Sequence, residues 1–169
     1  SGNGARRGAL TAIQQSLAWA VDNNYLQTNP LRKIKKPPSG RRETLISPED
    51  HARMCRKANP KFRAVLIILH GSGARPGEVS ALTAENWTGS TFVLKKHKTS
   101  DKTKKARIIY VSPCVLALIQ TLIQARPRGP LFTNTLGGKW TGNAIRCQMR
   151  RLRKALGLPF GTVAYSYRH

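Results

Sequence analysis

The chain has 169 residues, 40% of them hydrophobic, which suits one ordinary domain with a core of its own and room for a small appendage. Thirty Lys and Arg stand against seven Asp and Glu, a formal net charge of +23, and so basic a surface makes nucleic acid the expected partner, because it attracts phosphate backbones and releases their counterions. The apolar run from about Ala64 to Leu69 is too short to span a bilayer, the N-terminus has no basic-then-apolar signal, and Cys55, Cys114 and Cys147 show neither a disulfide framework nor zinc spacing. Membrane, exported and zinc-bound classes fall away, and the cytoplasm is the expected compartment.

Leu10, Ile13, Leu17 and Val21 recur at helical spacing and predict a helix from about Arg6 to Asn23. Asn29-Pro30 breaks the chain. The stretch Arg32 to Arg42 mixes proline, glycine and positive charge and reads as an extended basic linker. Ser47 caps a helix that opens at Pro48 and runs to about Lys57, with Glu49 and Asp50 favouring its dipole. The next, from about Lys61 to His70, is apolar nearly all round and should be the central core helix, with His70 packed or capping rather than a ligand. Gly71-Ser72-Gly73 should end it, and a short helix from Pro76 to Leu82 should follow. Thr91–Leu94 and Arg107–Val111 carry strand signals, joined by a lysine-filled connection, so a hairpin with a long basic tip is expected. Pro113 opens a helix to about Ala125, and a long basic helix runs from about Thr141 to Leu156. The order is α+β rather than a βαβ alternation.

Arg75 sits where a buried helix ends and another begins, a place from which its fork can grip a phosphate, with Glu78 positioned to buttress it. Spacing alone fits a surface arginine at a helix–turn–helix corner equally well. The hairpin tip offers Lys95, Lys96, Lys98, Lys102, Lys104 and Lys105; most read as backbone-neutralising charge, and one at the root of the tip could act as a proton donor. Arg41 and Arg42 in the linker and Arg146 and Arg150 on the basic helix are further candidate phosphate contacts. Apart from Glu49 and Asp50 the acids are scattered singly, so no metal or cofactor is expected.

Taken together, "GARPGEV" after an apolar helix, a hairpin with "HKTS" at its turn, and "YSYRH" after a basic helix resemble the tyrosine recombinase (phage integrase) family in order and spacing, over about Arg42 to His169. The resemblance implies a mostly helical integrase-type catalytic domain with a small antiparallel hairpin over residues 44–169, incomplete at its C-terminus. Residues 32–43 would be the interdomain linker and 1–31 the last helix of a core-binding domain. It assigns Arg75 and Arg168 as the two catalytic arginines, Lys98 as the hairpin lysine and His169 as a supporting residue. Tyr165 stands where the family most often has histidine; a phenol donates a hydrogen bond to phosphate, but with an unperturbed pKa of about 10 it is a poor base near neutrality. The nucleophilic tyrosine is expected beyond Arg168, since none of Tyr25, Tyr110, Tyr165 and Tyr167 has the right place.

The implied reaction is metal-free phosphoryl transfer on double-stranded DNA through a 3′-phosphotyrosyl link, with self-association, as a tetramer, in the full-length protein. Fixed arginines stabilise the charge that grows on the non-bridging oxygens, and Lys98 protonates the leaving oxygen. By itself this chain would bind DNA without cleaving it. Two other readings remain open: a non-catalytic nucleic-acid-binding module, and an enzyme like the type IB topoisomerases.

Overall fold

The computed structural model describes residues 2–38, 44–97, 100 and 104–168. The chain divides into two compact units, Ser1–Arg42 and Glu43–His169. In the first, helix α1 spans Asn3–Asp22, starting earlier than its apolar spacing predicts, and none of its residues is buried. The chain that follows runs back along it. Gln14 Nε2 donates to the carbonyls of Leu31 (2.8 Å) and Ile34 (2.9 Å), and Arg7 Nη1 donates to that of Pro37 (2.8 Å). Arg32 and Lys33 thus lie in turns rather than in the extended chain expected, and the segment to Pro38 is anchored by side chains of α1.

In the second unit one local code starts two helices. Ser47 Oγ accepts the Asp50 N–H (3.1 Å) and Pro48 opens α2, Pro48–Lys57; Asn59 Oδ1 accepts the Phe62 N–H (2.9 Å) and Pro60 opens α3, Pro60–Ser72. Helix α3 is the core helix, burying Phe62, Val65, Leu66, Ile68 and Leu69. It continues through Gly71 and Ser72, which the sequence assigned to the break, and ends at Gly73 in the left-handed conformation (φ 58°). Gly71 is needed inside the helix, because a Cβ there would overlap Val115 Cγ2 of α5, Pro113–Ala125.

Helix α4, Pro76–Ala81, and a 3₁₀ turn, Ala84–Asn86, lead to strands β1, Thr91–Leu94, and β2, Arg107–Tyr110. They pair antiparallel, Thr91 opposite Tyr110 and Leu94 opposite Arg107. Phe92, Leu94 and Ile109 are buried, while Ile108 and Tyr110 face outward. Helix α6, Gly142–Ala155, is capped by Thr141 Oγ1, which accepts the Ala144 N–H (3.1 Å), and buries Ile145, Met149 and Leu152. A 3₁₀ turn, Ala164–Arg168, closes the described chain and packs on α3. The architecture is the expected α+β. Among the described residues no helix is long and apolar enough to cross a membrane.

Candidate active site

Arg75 is the N-cap of α4, reached directly from the left-handed turn at Gly73. Glu78, in the first turn of α4, is 7% exposed and grips it twice: Oε2 accepts the Arg75 backbone N–H (2.8 Å) and Oε1 accepts Arg75 Nη1 (2.8 Å). The sequence anticipated that buttress. It missed the second cation on the same carboxylate. Arg107 lies opposite buried Leu94 in the ladder, so strand alternation turns it inward with Ile109. Its Nε is 3.4 Å from Glu78 Oε1, buried, and has no hydrogen bond among the described residues. Burial alone would push the Glu78 carboxyl up, but the hydrogen bonds from Arg75 and the charges of Arg107 and Arg75 outweigh it and hold it below the usual carboxylate range. The carboxylate is therefore a fixed anion. The Arg75 side chain, 47% exposed, keeps donor capacity for a ligand.

That capacity faces a cleft of about 430 Å³, with Arg75 and Glu78 on one side, Lys96 and His97 from the hairpin, and Tyr165 from the last turn. Arg75, Lys96 and Tyr165 thus line one cleft. Arg168 is exposed at the end of the same turn but is not among the residues lining the cleft. Lys95 lines an adjoining hollow with Lys96. Lys104 and Lys105 are exposed on the hairpin, and Arg146 and Arg150 on the outer side of α6. Lys98, Lys102, Arg41, Arg42 and His169 lie outside the described residues.

Behind Arg168 is an aromatic group that the sequence did not reveal. Tyr167 is buried, and its hydroxyl shares a 2.8 Å hydrogen bond with His51 Nδ1 of α2. The His51 and His70 rings stack 4.2 Å apart at 13°, and Tyr167 meets both edge-on. His70 is thus packed, as expected. Burial, helped by His70, lowers His51 to about 4, and burial pushes the Tyr167 phenol and the Cys55 thiol up. Among the described residues no three His, Cys, Asp or Glu side chains gather as a metal ion would need.

No family model matches the chain. It is 33% identical over 115 residues to tyrosine recombinase XerC of Bradyrhizobium diazoefficiens, covering 63% of this chain and 34% of that one. It is 25% identical to XerC of Rhodospirillum centenum, covering 100% of this chain and 53% of that one. The chain therefore spans about a third to a half of the curated relatives it matches. Among solved structures it resembles lambda integrase (residues 75-356) bound to DNA, with a TM-score of 0.75 at 12% identity over 98% of this chain and 62% of that one. The Tn1549 transposon integrase in complex with a circular intermediate DNA gives 0.70 at 17% identity, over 95% and 62%. The sequence likeness is thus to XerC tyrosine recombinases over part of their length, and the fold, over nearly the whole chain, is like that of the lambda and Tn1549 integrases.

Proposed function

We propose that this chain carries the strand-transfer site of a site-specific DNA recombinase, one that breaks and rejoins double-stranded DNA through a 3′-phosphotyrosyl intermediate. The observation that supports it most is the Arg75 fork, held by buried Glu78 and facing a basic cleft that also takes in Lys96 and Tyr165. A fork fixed beforehand loses little rotamer freedom when phosphate arrives and supplies donors where negative charge grows. In this reading Arg75 and Arg168 bind the non-bridging oxygens, Lys98 protonates the 5′-oxygen, and Tyr165 adds a hydrogen bond. Residues 44–169 are the catalytic domain, 32–43 a linker that tracks the backbone with Arg41 and Arg42, and 1–31 part of a core-binding domain. The hairpin lysines, with Arg146 and Arg150, neutralise flanking phosphates. Copies assemble on DNA, as a tetramer in the full-length protein, which works in the cytoplasm.

The nucleophile is assigned to sequence outside these 169 residues. Tyr167 is buried against His51, Tyr110 is on the outward face of the sheet, and Tyr25 stacks on Trp19 in the other unit. Tyr165 is too close along the chain to Arg168 for in-line attack on a phosphate which that arginine holds. A nicked suicide DNA substrate, which traps covalent protein–DNA adducts, tests the proposal. The 169-residue chain gives none, and the full-length protein gives an adduct that Arg75→Lys nearly abolishes while nonspecific binding persists. No adduct from the full-length protein on its own element's ends would leave a DNA-binding module.

A further inference from the structure

We infer that Arg107 is a positioning residue for strand transfer, which locks the hairpin side of the cleft to the Arg75 side through Glu78; the inference rests on the strand-transfer reading above. Arg75 caps α4, whereas Lys96 reaches the cleft from the hairpin. Cations carried by separate elements act on one phosphate only when the distance between those elements is fixed. Glu78 is where α4 meets the hairpin. Its Oε1 accepts Arg75 Nη1 at 2.8 Å and lies 3.4 Å from Nε of Arg107 on β2. Arg107 is not among the residues lining the cleft, so it acts on the phosphate through Glu78 and Arg75.

The strand register makes this contact a lock. Leu94, the cross-strand partner of Arg107, is buried and lines the cleft, and Ile109, two residues on from Arg107, is buried as well. A slip of one residue would turn Arg107 to the outer face with Ile108, so Arg107 meets Glu78 in one register only. That register also sets where β1 delivers Lys96, two residues beyond Leu94. Arg107 Nε is buried without a hydrogen bond among the described residues, and at 3.4 Å it holds Glu78 by charge rather than by a hydrogen bond. The charges favour phosphate. Glu78 and Arg75 alone would cancel, whereas one carboxylate between two guanidiniums leaves one net positive charge beside the cleft, where negative charge grows in the reaction.

The experiment measures single-turnover adduct formation on the suicide substrate with the full-length protein at saturating DNA, reading rate constant and amplitude separately. Arg107→Met should slow the rate constant by roughly 10- to 100-fold, with amplitude kept and duplex binding altered less than about twofold. A merely structural role would lower the amplitude, because fewer molecules are folded, and leave the rate constant of the rest unchanged. Arg107→Lys restores a cation opposite Glu78 and should recover most of the loss. Arg107→Gln, uncharged but polar, takes the place of the methionine variant if that one does not fold. A wild-type rate constant in the uncharged variant, whatever its amplitude, overturns this assignment alone, as does an Arg107→Lys protein no faster than it. No adduct from the wild type overturns the strand-transfer reading and the assignment with it.

Discussion

Acidification between pH 6.5 and 4 should loosen the fold at the turn that carries Tyr165 and Arg168. His51, hydrogen-bonded to Tyr167, is neutral in the folded protein and lowered to about 4 by burial and by the neighbouring His70. In the unfolded chain it takes up a proton near its ordinary value of about 6.5. The unfolded state then binds more protons than the folded one throughout that window, so the stabilisation is complete above pH 6.5, falls as pH falls, and is gone below about 4. At about 1.36 kcal/mol per pH unit the full effect is roughly 3 kcal/mol, and screening of a half-exposed ring reduces it to about 1–2 kcal/mol. Urea denaturation at half-unit steps from pH 7.5 to 4.5 would measure it. Glu78, whose carboxyl is lowered from an ordinary value of 4.5, loses its contribution only as pH falls below about that value, so it touches only the acid end of the His51 window. The His51→Gln variant should be less stable at pH 7.5, having lost the ring stack, and should lose the acid slope as well. A flat wild-type response from pH 7.5 to 5, or an unchanged slope in His51→Gln, would refute the reasoning.

Arg107→Met should destabilise the domain by about 1–2 kcal/mol in urea, because it leaves buried Glu78 with one guanidinium in place of two. Glu78→Gln should cost more, about 2–4 kcal/mol, since both arginines then face each other without their anion. Gly71→Ala should lower stability by about 1–3 kcal/mol through the overlap with Val115, read as a lower melting temperature with the helix signal intact. Duplex DNA binding by the chain should weaken by roughly 10³–10⁵ between 50 and 200 mM salt if six to ten phosphates are contacted, and fluorescence anisotropy showing a flat response would remove the polyanion reading.

Elements with strong local rules were legible in the sequence. Pro48–Lys57 and Pro113–Ala125 have the bounds that caps, prolines and apolar spacing gave them. The start of α3 needed only the Ser47-Pro48 rule applied again at Asn59-Pro60. Its end could not be read, because Gly71 is helical for a tertiary reason: it lets α5 come close. Strand phase was ambiguous for a different reason. In Arg107-Ile108-Ile109-Tyr110 every residue after the arginine is apolar, so alternation alone would turn Ile108 and Tyr110 inward. The partner strand decides otherwise: Phe92 and Leu94 are the buried side of β1, and pairing puts Ile109 and Arg107 on that side.

The same distinction separates the exposed groups of the site from what holds them. Arg75 and Tyr165, proposed to meet phosphate, stand in short motifs, and both are accessible in the cleft. Part of their support comes from distant elements and leaves no local signature. Arg75 depends on Glu78, three residues on, and Glu78 also engages an arginine from β2. The turn bearing Tyr165 and Arg168 is anchored by Tyr167, whose partner His51 is 116 residues away. Each support is a buried polar contact, costly if its partner is missing, and so each makes a particular placement of its element the stable one. A polyanion-binding surface needs only charge. A site that must aim a fork at one phosphate also needs that placement fixed before the phosphate arrives, and paired buried anchors behind exposed cationic residues are what such a site requires.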